Sequence, residues 1–164
     1  MRFKKNILLL LTMLCLSLSV LVLPIYSIEL DETTRTVQLD NAGKISILTP
    51  EQVKRGKRLF NNSCAQCHNG GITKTNPNIG LDTEALSLAT PSRDNIASLI
   101  DYMKNPTSYD GATFISDLHP SITSAEIFPK MRNLTDDDLF AIAGHILIQP
   151  KVNAEKWGGG KIYY

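Results

Sequence analysis

Residues 61–71 read Asn-Asn-Ser-Cys-Ala-Gln-Cys-His-Asn-Gly-Gly, and they carry the groups in this chain best suited to chemistry. Cys64 and Cys67 stand three apart, and His68 follows the second directly. A pair of thiols at this spacing has four uses. A redox disulfide of the thioredoxin kind opens a helix in a strand-rich fold and gives the next residue no task. A structural zinc ion takes four ligands at compact spacing, and the remaining histidines, His119 and His145, are far from the motif and from each other. A plain structural disulfide here would close almost no loop and stabilise little. Covalent haem attachment uses all three residues: both thiols add to the haem vinyl groups, and the imidazole that follows faces the iron. Haem is the reading that leaves no part of the motif unused.

The start of the chain supports an exported protein, where such attachment is made. Arg2, Lys4 and Lys5 precede an apolar run from Ile7 to about Leu23; Pro24 breaks the run and Ser27 offers a small residue for cleavage. This is the pattern of a secretory signal over residues 1–27, with an uncleaved membrane anchor as its rival. Cys15 follows Leu14 in mid-run, which does not suit a lipoprotein signal. Removal of the leader takes three of the 17 basic residues and none of the 16 acidic ones. The 14 that remain give the mature chain a slight negative balance, which excludes the basic face a nucleic-acid binder needs. Cys64 and Cys67 are then the only cysteines of a chain long enough for one small domain.

The elements that must hold the motif are mostly helical. In residues 28–48, Val37 and Leu39 alternate with polar residues, as do Ile45 and Ile47, and Asn41-Ala42-Gly43 between them suits a hairpin. Thr49, Pro50 and Gln52 form the start of a helix that runs into the motif. Val53, Gly56 and Phe60 share one face of it, and a glycine there lowers helix propensity, so it predicts close approach of another backbone. A short helix begins near Asp82. A clearer one places Ile96, Leu99, Ile100 and Met103 on one stripe and ends before Pro106. A loop over 107–121 contains Gly111, His119 and Pro120. The last helix is capped by Thr135, has three aspartates at its amino end, carries Leu139, Ile142, Ala143 and Ile146 as its apolar stripe, and is expected to stop at Pro150. These signals predict an all-α domain over 49–150 around one covalent haem c, with a short amino-terminal β-hairpin and a separate tail over 151–164.

The run from Gly56 through Phe60 to His68, G-x-x-x-F-x-x-x-C-x-x-C-H, resembles the first helix of class I cytochromes c, and Leu134–Leu147 resembles the last. The match goes further. Glu51–Asp82, Leu118–Ile122, Phe128–Thr135 and the ending KWGGGKIYY are similar to the PsbV family, the extrinsic low-potential cytochromes of photosystem II in cyanobacteria and non-green algae. The resemblance covers essentially the whole chain after the leader. It implies a class I cytochrome c fold and a place on the lumenal side of the thylakoid membrane. The implied neighbours are intrinsic photosystem II subunits and the small extrinsic protein PsbU. The implied role is to support the manganese–calcium oxygen-evolving site and the retention of calcium and chloride.

Beside that resemblance stands the question of the sixth iron ligand, with His68 as the first axial group. Met103 lies on an apolar stripe and reads as core. Met131 is three residues before Leu134, too near the last helix to match the methionine ligand of ordinary class I cytochromes. His145 lies within the last helix, at the edge of its apolar face, and reads as a partly buried packing residue. His119 is on a loop stiffened by Pro120, where functional groups are presented, and the resemblance implies that it is the distal ligand. Two imidazoles would lower the potential relative to a methionine sulfur, and a filled sixth position leaves no site for oxygen or peroxide. This argues against an enzyme such as a small haem peroxidase and leaves a photosystem II subunit, with a freely diffusing electron carrier as its rival; the tail favours the subunit. Trp157, Ile162, Tyr163 and Tyr164 surround Gly158, Gly159 and Gly160, read as a flexible hinge, and suit a partner's pocket better than a core, with packing of Trp157 on the domain left open.

Overall fold

Thr49 starts the helix that leads into the motif. Its hydroxyl accepts from the Gln52 amide at 3.1 Å, and the Gln52 side chain accepts from the Thr49 amide at 2.8 Å. This reciprocal pair satisfies two donors that a helix end otherwise leaves bare. The computed structural model describes residues 30–159. Its elements are α1 (Glu32–Arg35), β1 (Thr36–Gln38), β2 (Ile45–Ile47), α2 (Pro50–Ser63), α3 (Ala65–His68), α4 (Thr83–Ser87), α5 (Ile96–Lys104) and α6 (Asp136–Val152). Short 3₁₀ turns occur at Asn69–Gly71, Pro129–Met131 and Trp157–Gly159. Strands β1 and β2 are antiparallel, with Val37 opposite Ser46. The Asp40 carboxylate holds the turn between them by accepting from the amides of Ala42 and Lys44 at 2.8 and 3.3 Å. The all-α reading with a small hairpin therefore stands. Val37 is buried, whereas Ile45 and Ile47 on the partner strand face outward.

The core is built where α2 crosses α6. A Cβ placed on Gly56 would lie 2.0 Å from the Ala141 carbonyl oxygen and 3.0 Å from the His145 Cβ. No side chain fits in that gap, so the glycine's lower helix propensity, about 1 kcal/mol, is the cost of the crossing. Phe60, Leu59, Leu139, Ile142, Ala143 and Ile146 fill the interface beside it. The crossing is also tied at its edge. Arg55 donates from Nε to the Asp138 carboxylate at 2.8 Å, and Asp138 accepts from the Thr135 amide and hydroxyl at 3.1 and 2.9 Å. The bond from Arg55 is the largest of the influences that hold the Asp138 carboxyl below its ordinary range. Helix α5 packs on α6 from the other side through Ile96, Leu99 and Met103. With apolar neighbours on both sides, α6 is buried over most of its circumference, beyond the single stripe expected of it.

Three expectations change at the carboxyl end. Pro150 does not stop α6, which runs on to Val152. A proline there removes only one backbone bond in the last turn, and the flanking residues keep the helix going. Trp157 is in the core rather than on a tail: its Nε1 donates to the Leu81 carbonyl at 2.7 Å, and its ring lies 5.6 Å from Phe60 and 6.0 Å from His145. Gly158 is not a hinge. It adopts φ +81°, and a Cβ there would sit 2.7 Å from the Asp82 Cβ, so the glycine serves close packing. Packing on the helical core thus continues past residue 150 through Trp157 and Gly158. Of the expected tail, residues 160–164 lie outside the described residues, as does the expected leader over 1–27.

Candidate haem site

Helix α2 gives way to α3 within the motif. The Cys64 amide donates to the Phe60 carbonyl at 2.8 Å, and the amides of Cys67 and His68 both donate to the Cys64 carbonyl at 3.1 and 2.9 Å. The motif is therefore wound into one helical turn whose side chains open on a cleft. Two cavities meet there, of about 260 and 320 Å³. Cys64, His68, Thr73, Met103, Leu118 and His119 border both. Leu99, Leu86, Ile115 and Ile146 help line the first, and Ile127, Phe128 and Met131 the second. The walls are predominantly apolar, as expected of a site for a large flat cofactor.

His119 reaches this cleft from the loop after α5. That loop is pinned back on the helix end, where the Ile122 amide donates to the Met103 carbonyl at 3.0 Å and the Thr123 hydroxyl to the Lys104 carbonyl at 2.8 Å. The His119 Nδ1 lies 3.0 Å from the Pro120 carbonyl oxygen. A carbonyl only accepts, so Nδ1 carries the proton and Nε2 presents a lone pair. His68 Nδ1 is 3.2 Å from the Thr73 hydroxyl. Burial pushes both imidazoles toward the neutral form: His119 is lowered to about 4, with His68 a further cause, and His68 is lowered with a partial offset from the Ile72 backbone. The two rings lie with centroids 6.0 Å apart and planes tilted by 50°. A metal bound at the usual distance of about 2 Å from each nitrogen would hold two ring centroids about 6 Å apart. The spacing, the tautomer of His119 and the apolar cleft all fit a haem between them.

Other uses of the cysteines fare worse on the same geometry. Burial, with the neighbouring Cys67 as a smaller cause, pushes the Cys64 thiol up to about 12. A redox pair instead needs a thiol whose pKa is lowered. Among the described residues, no group of three or more His, Cys, Asp or Glu side chains is placed to hold a metal ion without further donors. Two imidazoles are the complement that an iron held by the four nitrogens of a macrocycle needs.

The remaining candidates separate cleanly. Met131 is buried and borders the second cavity, and Met103, expected to be plain core, borders both cavities. His145 does not border the cleft at all. It is 4 % exposed, packed 5.0 Å from Phe60, and more deeply buried than its place on the stripe suggested. Burial, then Lys57, lowers it to about 4 from its ordinary 6.5. The unfolded chain takes up a proton near pH 6.5 that the fold refuses until about 4. Stability should therefore fall as pH drops through that window. His145→Phe keeps an aromatic ring against Phe60 and should flatten this slope. Urea midpoints of the two holoproteins between pH 7 and 4 check it; parallel curves would refute it.

Two residues of the cleft were missed in the sequence. Arg93 is buried with its guanidinium 4.0 Å above the Tyr102 ring, and Tyr102 meets His119 edge-on at 5.0 Å. Tyr102 could have been found, because it lies three residues after Leu99 and widens the α5 stripe toward the loop. Arg93 gave no signal, since its burial depends on residues 107–108 folding over it.

A glycine-mediated crossing of first and last helices, with a C-x-x-C-H turn opening on an apolar cleft and an imidazole opposite, defines a class I c-type cytochrome, a protein that carries haem c. The comparisons agree in detail. The model of the cytochrome c-550 domain matches residues 28–164. The chain is 81 % identical over 140 residues to the photosystem II extrinsic protein V of Gracilaria tenuistipitata var. liui, covering 85 % of each chain. It is 77 % identical to that of Porphyra purpurea, covering 85 % of this chain and 86 % of the relative. Among solved structures it is similar to a cytochrome c549, with a TM-score of 0.77 and 55 % identity over 78 % of this chain and 99 % of that one. The PsbV2 cytochrome of Thermosynechococcus elongatus is more distant, with a TM-score of 0.64 and 34 % identity over 75 % and 87 % of the two chains. The chain belongs to the cytochrome c-550 family.

Proposed function

We infer that this chain is a low-potential monohaem cytochrome that serves photosystem II as an extrinsic, thylakoid-associated subunit and is not itself an enzyme. The observation that carries this is the convergence of Cys64, Cys67, His68 and His119 on one cleft, in a chain 81 % identical to a photosystem II extrinsic protein V. Cys64 and Cys67 hold the haem by thioethers, His68 is the proximal iron ligand and His119 the distal one. Haem c supplies a one-electron couple. Two imidazoles favour its ferric form relative to a methionine sulfur and so keep the potential low. The chain's own contribution is to keep both rings neutral, oriented and shielded. With both axial positions taken, neither oxygen nor peroxide has a place to bind, which disfavours a peroxidase. Family membership disfavours a freely diffusing carrier.

The protein sits on the lumenal side of the thylakoid membrane, beside intrinsic photosystem II subunits and PsbU. There it stabilises the manganese–calcium site and the retention of calcium and chloride. Among the described residues no helix is long and apolar enough to cross a membrane; the attachment proposed here is through protein contacts. Ile162, Tyr163 and Tyr164 are its anchors. In the purified protein, acid–acetone extraction after denaturation should leave haem on the chain, and a pyridine-haemochrome spectrum should show thioether-linked haem. Haem that extracts fully would overturn the attachment. A holoprotein that never rebinds photosystem II particles stripped of extrinsic subunits would favour the diffusing carrier.

A further inference from the structure

We propose that Arg93 is the counter-charge for a carboxylate of the haem, held in place by Tyr102 and the 107–108 loop. The proposal rests on the haem reading of the cleft. Arg93 is only 7 % exposed. Its Nη2 donates to the Thr107 carbonyl at 3.1 Å, the Thr107 hydroxyl at 3.3 Å and the Ser108 carbonyl at 2.8 Å. All three acceptors are neutral. The ion pairs among the described residues are Arg55–Asp138 and Lys104–Asp136, and neither includes Arg93. A buried charge without an opposite partner is costly enough that folds rarely keep one. Here the bonds to the protein all leave from Nη2, so the Nε and Nη1 donors remain for an anion. A guanidinium offers a planar fork, which fits a carboxylate. Its stacking on Tyr102 fixes the plane of that fork.

Position points the same way. Cys67 borders the second cavity and Arg93 the first, while Cys64, His68 and His119 border both. In haem, the two carboxylates project from the edge opposite the vinyl-bearing one. Thioethers on the Cys67 side therefore send the carboxylate edge toward Arg93. Among the described residues Arg93 is the only arginine bordering either cavity; Lys130 borders the second, on the thioether side. If Arg93 merely stapled the 107–108 loop, its Nη2 bonds would be explained, but not a buried cation facing the cofactor space.

The test uses holoprotein grown with arginine labelled in its guanidinium ¹⁵N and haem labelled in its carboxylate ¹³C. Solid-state dipolar recoupling should show one carboxylate carbon within ion-pair range, about 4 Å, of a guanidinium nitrogen. In Arg93→Gln that contact should vanish, the haem carboxylate bending band in resonance Raman should shift, and the reduction potential should become more negative. Removing a positive charge near the haem favours the ferric state. Arg93→Lys should restore most of the potential while leaving the band shifted, because a point charge does not reproduce the fork. An absent contact in the wild-type protein would overturn the proposal, as would an unchanged band and potential in Arg93→Gln. Should Arg93→Gln fail to accumulate, the wild-type labelling alone decides. Haem that is attached but makes no arginine contact sinks only this proposal; a chain without attached haem sinks the reading beneath it.

Discussion

Replacement of His119 by methionine will raise the reduction potential of this cytochrome by on the order of 0.1 V or more, a modest part of the roughly 0.8 V that axial ligands span. The same substitution should introduce a sulfur-to-iron charge-transfer band. The effect is expected because a thioether stabilises ferrous iron better than an imidazole does. The loop is suited to receive the new side chain, since it is anchored to the end of α5 at Met103 and Lys104 rather than by His119 itself. Controls come from the two methionines that border the cleft. Met131→Leu and Met103→Leu should both preserve the low-spin spectrum, since the ligands proposed are His68 and His119. Loss of low-spin character in Met131→Leu would move the sixth ligand to that residue. An unchanged potential in His119→Met would show that His119 never touched the iron.

The residues that made the site readable were those whose neighbours in sequence complete their meaning. The spacing of Cys64, Cys67 and His68 describes a helical turn with three functional ends, and Thr49 with Gln52 fixes where the helix before it begins. Gly56 was legible as a crossing because an exposed helix has little reason to keep a glycine. What escaped depended on residues far away in the chain. Trp157 is core because Leu81 accepts its indole proton 76 positions earlier and Gly71 leaves space for its ring. Arg93 is buried by residues 107–108. His145 is deeper than its place on a stripe suggests because α6 is covered on two sides, by α2 and by α5. Pro150 fails to end its helix because one missing bond is a small loss beside the burial of α6. Local signals marked the elements and the motif, and long-range packing chose which of the other polar residues line the cleft.

Truncation after Gly159 will weaken rebinding to stripped photosystem II particles by at least tenfold and leave the haem spectrum and melting temperature nearly unchanged. The cut belongs there, and not earlier, because Trp157 and Gly158 pack on Leu81 and Asp82 and belong to the domain. What the truncation removes is Gly160, Lys161 and the three large residues Ile162, Tyr163 and Tyr164. Burying each of the three in a partner contributes about 1–2 kcal/mol before the cost of ordering the chain. A net loss of about 1.4 kcal/mol is already a tenfold loss of affinity. Trp157→Ala provides the contrast. It removes a buried ring that packs against both Phe60 and His145 and should cost about 3–5 kcal/mol of stability, visible as a lowered melting temperature. The two variants thus separate anchoring from folding, as rebinding falls in the first and stability in the second. Full rebinding by the truncated chain would place the docking surface elsewhere on the domain. A collapsed melting temperature in that same chain would make residues 160–164 part of the core and leave the anchor still to be found.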